Sequence, residues 1–193
     1  MPADPMPADP MSCGAVLCGG ASRRMGRDKA FVEYDGVAMV QRVMATLRAA
    51  GCAEVVAVGG DARQLAALGL RCIPDEHPGE GPLGGVITAL HHFADREAVM
   101  VVACDLPRLT PATVSRVLGA LTERDATEVV MAVTDRREPL CAAWRPTVAD
   151  ALVQAFDAGE RRLQTAVQPL RIMELPVPVT DLANVNTPTD LHQ

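Results

Sequence analysis

Apolar and polar positions along the chain fall into blocks of two kinds. Short strand-like runs occur at Gly14–Leu17, Val55–Val58, Leu70–Ile73, Ala98–Ala103, Val129–Ala132 and Arg171–Leu175. Between them, apolar residues recur at the spacing of an amphipathic helix over about 38–50, 61–68, 84–94, 111–122 and 146–157. This strand–helix rhythm predicts an α/β domain with a mostly parallel central sheet. Ala98–Ala103 is apolar on both faces, as suits a central strand covered by helices on each side. Ligands of such sheets bind beyond the carboxyl ends of the strands. The segments just after the runs are GGASRRMGRDK, PDEHPGEGPLGG and CDLP, following the first, third and fourth runs, and the pattern predicts that they meet along one edge.

The opening residues, MPADPMPADPM, read as a disordered leader over 1–11, followed by a single domain over 12–193. Near the other end, Thr187 with Pro188 and Asp190 reads as the cap of a last helix. No apolar run approaches the roughly 20 residues a membrane-spanning helix needs, and the leader has neither the basic nor the apolar part of a secretory signal. A cytoplasmic protein without a membrane partner is expected. The net charge of −6 argues against nucleic acid as a partner, since phosphate-backbone binding usually leaves a basic footprint. The six cysteines form no CxxC pair and sit mostly in apolar runs, which reads as reduced core thiols. Cys104 is a packing residue on this reading, as are Met25, Met39 and Met44. His77, His91 and His92 lack ligand spacing to any cysteine.

The first loop carries the most specific chemistry. Gly19 and Gly20 let the backbone turn tightly and approach a ligand closely, and successive N–H groups in such a turn form an anion cradle. Arg23, Arg24 and Lys29 add cations, the arginines as planar forks and the lysine as a compact charge. Together they point to a polyphosphate. The spacing matches neither a Walker A loop nor a Rossmann GxGxxG. Asp105, at the end of VMVVAC, stands where Mg2+ is commonly held by one carboxylate and phosphate oxygens. Capping of the turn by Asp105 is the structural alternative. GERR at 159–162 reads equally as a solvated helix end or as an anion-binding segment.

These residues resemble a known signature. LCGGASRRMGRDKA at 17–30 is similar to the LAGGxSxRMGxDK motif of nucleotidyltransferases with the three-layer, Rossmann-like nucleotide-diphospho-sugar transferase fold. The likeness is greatest to the molybdenum cofactor guanylyltransferases. GPLGG at 81–85, CDLPRL at 104–109, EPLCAAW at 138–144, GERRL at 159–163 and NVNTPTDL at 184–191 follow in the family's order, so that the resemblance spans about 13–191. Cys18 departs from the usual alanine but keeps a small side chain.

The resemblance implies transfer of GMP from GTP to the terminal phosphate of the molybdopterin cofactor, with pyrophosphate released and Mg2+ as cofactor. It implies that Leu17, Cys18, Gly19 and Gly20 line the nucleotide with backbone and that Lys29 binds its phosphates. Arg23 or Arg24 would meet developing charge, Asp75 would lie near the nucleotide, and Asp105 would hold the metal. Gly81, Pro82, Leu83 and Gly84 would lie close to the base, Leu83 covering one of its faces. Arg24 would serve the acceptor, and Asn184 and Asn186 would help bind the acceptor or the metal's water shell. The implied partners are GTP, molybdopterin cofactor and molybdoenzyme-maturation proteins. A cytidylyltransferase for the same cofactor, a transferase for another small phosphorylated molecule, and a binding module without turnover are the alternatives.

Overall fold

A computed structural model of the chain describes residues 12–19 and 28–185. Strand β1, Ser12–Leu17, is buried at every position, and it leads after the first loop to a short hairpin of β2, Glu33–Tyr34, and β3, Val37–Ala38. Helix α1, Met39–Ala49, then β4, Glu54–Val58, α2, Ala62–Ala67, and β5, Cys72–Ile73, complete the first half. Helix α3, Pro82–His92, precedes β6, Ala98–Ala103, and α4, Pro111–Thr122, follows it. The second half continues with β7, Val129–Val133, β8, Arg137–Trp144, α5, Ala149–Asp157, α6, Leu163–Ala166, and β9, Ile172–Pro176.

Seven strands form the central sheet in the order β5-β4-β1-β6-β8-β7-β9. β8 runs antiparallel to both of its neighbours and the other pairings are parallel. The sheet residues alternate between two cores. Val16, Met100 and Val102 pack with α1 and α4, whereas Ala15, Leu17, Val99 and Val101 pack with α3 and α5. Both faces are therefore dry, which is why β1 and β6 carry no polar alternation. Each wholly buried Val or Leu contributes about 1.5–3 kcal/mol relative to exposure. At Gly14 a Cβ would stand 2.8 Å from Leu47 Cδ1, so α1 lies directly on β1.

The expected strands are all present, with β5 shortened to Cys72–Ile73 while Leu70 packs into the core beside it. Helix α3 starts at Pro82, two residues before the expected 84, because Gly81 is its N-cap and Pro82 its first turn. The segment expected as helix from 146 begins with a 3-10 turn, Pro146–Val148, before α5. Hydrophobic pattern alone predicts neither β8 nor the β2–β3 hairpin, whose turn residues Asp35 and Gly36 have φ of 50° and 75°. The helix expected to start at Thr187 lies outside the described residues.

Candidate active site

The order of the strands decides where a ligand can sit. β1 and β6 are neighbours, and the chain leaves β1 toward β4 but leaves β6 toward β7 on the opposite side, so a crevice opens above their carboxyl ends. The ladder runs slightly past the strands there, with Cys18 N donating to Val58 O at 2.9 Å and Cys104 N to Leu17 O at 3.3 Å. Cys18 and Cys104 thus end neighbouring strands side by side. Hydrogen bonding to Cys104, and then burial, hold the Cys18 thiol well above its ordinary pKa, so it stays neutral and packs.

Beyond this edge lies a cavity of about 580 Å3. One wall comes from Leu17, Cys18, Gly19, Lys29, Asp105 and the start of α3, as the loop pattern predicts. Lys29 Nζ lies 3.2 Å from Asp105 Oδ2, and the two side chains are 20% and 19% exposed. Lys29 is placed by the 3-10 turn Lys29–Phe31, which Asp28 caps by accepting from Ala30 N at 3.0 Å. The loop of Asp105 is tied down from α1, where Arg42 Nε donates to Pro107 O at 3.1 Å and Thr46 Oγ1 to Leu109 O at 3.3 Å. Arg108 Nε donates to Tyr34 Oη at 2.7 Å, which gives the β2–β3 hairpin its purpose here. Asp105 therefore holds its place within a braced loop.

The start of α3 contributes Gly81 and Pro82 to the cavity. Gly81 has φ 87°, where a side chain would be strained, and no side chain caps the helix, so its positive end faces the cavity. Two expectations for this segment need correction. Leu83 is 0% exposed and packs in the core, so its side chain has no surface left to cover a base. Gly84 is also buried, and a Cβ there would stand 2.6 Å from His77 Cβ. Its missing side chain admits the His77 turn, not a ligand. Asp75 lies on the other side of Gly19, where a Cβ on Gly19 would be 3.4 Å from Asp75 Oδ2.

The opposite wall was not predicted. Arg136, Arg137, Glu138, Pro139 and Leu140, from the turn into β8, line it together with Gln164. Arg136 Nε donates to Glu138 Oε1 at 2.8 Å, and Arg137 Nε to Glu174 Oε1 at 2.6 Å. Asn184 and Leu182 also line the cavity. Their segment is anchored by Asp181, whose Oδ2 accepts from Thr110 Oγ1 at 2.7 Å and Thr113 Oγ1 at 2.6 Å. It is anchored again by Val185 N, which donates to Asp105 O at 3.1 Å.

The GERR segment is a clasp. Arg161 stacks 3.8 Å over the Phe156 ring and donates from Nε to Glu80 Oε2 at 2.6 Å, joining the α5–α6 turn to the residues before α3. The backbone N–H groups of Arg162 and Arg161 hold the Glu160 carboxyl below its usual range. His77 stacks on Phe156 at 4.4 Å and His91 Nδ1 lies 2.9 Å from Glu76 Oε2. Gly20, Arg23, Arg24, Met25 and Asn186 lie outside the described residues. Among the described residues, no three His, Cys, Asp or Glu side chains gather into a metal-holding group, and no helix is long and apolar enough to cross a membrane.

A mostly parallel sheet with a braced carboxylate, a lysine and a helix N-terminus at its switch point is an architecture that suits a nucleotidyltransferase. Residues 14–172 match the MobA-like NTP transferase domain, and the chain belongs to that family. It is 34% identical over 189 residues to a probable molybdenum cofactor guanylyltransferase of Chloroflexus aggregans, covering 89% of this chain and 88% of the relative. It is 33% identical over 174 residues to the molybdenum cofactor guanylyltransferase of Xanthomonas euvesicatoria, covering 88% and 86%. The crystal structure of molybdopterin-guanine dinucleotide biosynthesis protein A from Archaeoglobus fulgidus superposes with a TM-score of 0.76 at 29% identity, covering 92% of this chain and 94% of that one.

Proposed function

We propose that this protein transfers GMP from GTP to the terminal phosphate of molybdopterin cofactor, forming molybdopterin guanine dinucleotide and releasing pyrophosphate. The observation that carries the proposal is the convergence of Gly19, Lys29, Asp105 and the start of α3 on one cavity, in a chain of the MobA-like family. An oxygen of the acceptor phosphate attacks the α-phosphorus of GTP, a new P–O bond forms, and the bond to the β-phosphate oxygen breaks. Positioning and charge neutralisation are the main demands of such a step. The acceptor phosphate has a second pKa near 6, so it is already mostly ionised at neutral pH and needs no general base. Among the described residues, no histidine lines the cavity.

Lys29 and the positive end of α3 meet the phosphate oxygens on this proposal. Asp105 presents one carboxylate to the cavity, which suits an ion that takes one or two protein carboxylates and completes its shell with phosphates and water. Asp105 would hold Mg2+ there, and the ion would supply positive charge to the phosphates. The turn at Arg136 and the segment of Leu182 and Asn184 face the same space and form the acceptor end.

The base belongs on the other side of Gly19, with Asp75. Guanine offers two adjacent donors, N1–H and the N2 amino group, which a carboxylate accepts. Adenine and cytosine place an acceptor nitrogen at the position of N1–H. A site built to pair a particular group rejects analogues that leave it unpaired, by up to about 10⁴–10⁵-fold. The test is incubation with Mg2+, molybdopterin cofactor and each of four labelled nucleoside triphosphates. Guanine dinucleotide and pyrophosphate should form in equal amounts from GTP. Comparable kcat/KM for CTP would move the assignment to a cytidylyltransferase, and binding without pyrophosphate release would make the protein a carrier.

A further inference from the structure

Helix α3 carries one polar side chain in its buried stretch that the reaction above does not use. Residues 83–90 read LGGVITAL, all are buried, and Thr88 is 2% exposed. A buried hydroxyl is unfavourable unless it is hydrogen-bonded. Part of that need is met within the helix, since Thr88 Oγ1 lies 3.0 Å from Gly84 O. The other contacts leave the helix. Glu76 N donates to Thr88 Oγ1 at 3.1 Å, and the hydroxyl stands 3.2 Å from Asp75 Oδ1. The single hydroxyl proton has two acceptors in reach, and an ionised carboxylate is the stronger of them.

Gly84 makes this arrangement possible. It lies four residues before Thr88, on the same helix face, and the 2.6 Å that would separate its Cβ from His77 Cβ shows how closely residues 75–77 approach α3. Gly84 provides the seat and Thr88 the pin. Asp75 Oδ1 also accepts from His77 N at 2.9 Å, so two donors converge on one oxygen, while Oδ2 turns toward Gly19. The terminal torsion of an aspartate is otherwise broad. Bonds to Oδ1 alone stop that rotation and present the carboxylate in one orientation at the nucleotide loop.

We infer that Thr88 is a positioning residue that sets base selectivity by fixing the carboxylate of Asp75. The inference rests on the assignment of Asp75 to the guanine edge. Calorimetric titration of the full chain with GTP and with ITP, in Mg2+, tests it without any acceptor. ITP keeps N1–H and lacks the N2 amino group, so the ratio of the two affinities reports the second base contact.

Thr88→Val preserves shape and removes the hydroxyl. It should weaken GTP binding about 10-fold and shrink the GTP-to-ITP ratio, and Thr88→Ser should recover both. Combined with Asp75→Asn, it should bind GTP no more weakly than Asp75→Asn alone, because residues acting as one unit are not additive. A purely structural threonine would lower Tm and leave the ratio untouched, which would overturn the inference while leaving Asp75 as the base reader. An unchanged ratio in Asp75→Asn would instead remove the guanine assignment of Asp75, and the inference with it. If Thr88→Val does not fold, Thr88→Ala is read by the same ratio.

Discussion

Lys29 Nζ and Asp105 Oδ2 are 3.2 Å apart although 76 positions separate them in sequence. The pair joins the end of the first loop to the end of β6 and keeps two partly buried charges matched. With Asp105 in the role proposed for it, Asp105→Asn keeps the shape and removes the charge. Turnover should fall by about 10²-fold or more, and the dependence of rate on Mg2+ concentration should flatten. Turnover near normal at saturating Mg2+ would reduce Asp105 to a partner that merely holds Lys29 in place.

Lys29→Ala separates phosphate recognition from base recognition. A charge-assisted contact contributes on the order of 1.5–3 kcal/mol, so GTP affinity should drop by at least 10-fold while guanosine affinity stays within 2-fold. Titration of both ligands decides it, and equal losses would place the lysine's effect in the fold.

Gly84→Val should also weaken nucleotide binding, for a reason the sequence alone does not suggest. The new side chain collides with His77 Cβ and pushes the turn of Asp75 outward. Overpacking of this kind costs about 1–3 kcal/mol, so a lower Tm should accompany the weaker binding. Weaker binding with an unchanged Tm would mean that position 84 touches the ligand directly.

The pattern of apolar runs was enough for β1, β4, β6 and β7, because helices cover both faces of these strands and leave no polar alternation to confuse the reading. β8 escaped it: Arg137–Leu140 is polar or half-buried and Cys141–Trp144 wholly buried, so neither a period of two nor a continuous run describes the whole strand. The β2–β3 hairpin is too short for a periodic signal, although Asp35-Gly36 between Tyr34 and Val37 is a recognisable turn. Within the site, the loops carrying Gly19, Lys29 and Asp105 were legible because their chemistry is concentrated in a few residues. The Arg136 wall was not, since β8 reaches the site only through the sheet order, and neither was the contact of Thr88 with Asp75, which depends on how closely the turn of residues 75–77 folds back on α3. Leu83 was misassigned because a leucine beside glycines reads alike at a ligand and in a core.

Thiol chemistry gives a prediction at alkaline pH. Burial pushes the thiols of Cys52 and Cys141 up to about 12. In the unfolded chain they ionise near 8.5. Their contribution to stability should therefore be fully present below about pH 8.5 and be lost progressively as pH rises toward 12. Urea denaturation between pH 7 and 10.5 should show a falling midpoint, and the Cys52→Ala/Cys141→Ala double variant should show a shallower decline. Parallel slopes for the two proteins would mean that other groups control the alkaline limit.

Asp181→Ala should destabilise the fold by about 1–3 kcal/mol, since it strips the shared acceptor from two threonine hydroxyls. It should also weaken use of the acceptor more than binding of GTP, because Leu182 and Asn184 follow directly on the cavity side. Denaturant melts and separate KM values for the two substrates check both parts. A loss confined to GTP would contradict the placing of the acceptor end.

The hydrogen bond from Val185 to Asp105 has a consequence for biosynthesis. A chain still on the ribosome and emerged only through β8 already contains Lys29, Asp105 and the Arg136 turn, yet lacks β9, which pairs with β7, and the residues that close the cavity beside Asp105. The cavity beside Asp105 therefore closes only once the chain has emerged as far as Val185, and a ribosome stalled after β8 would display an open half-site.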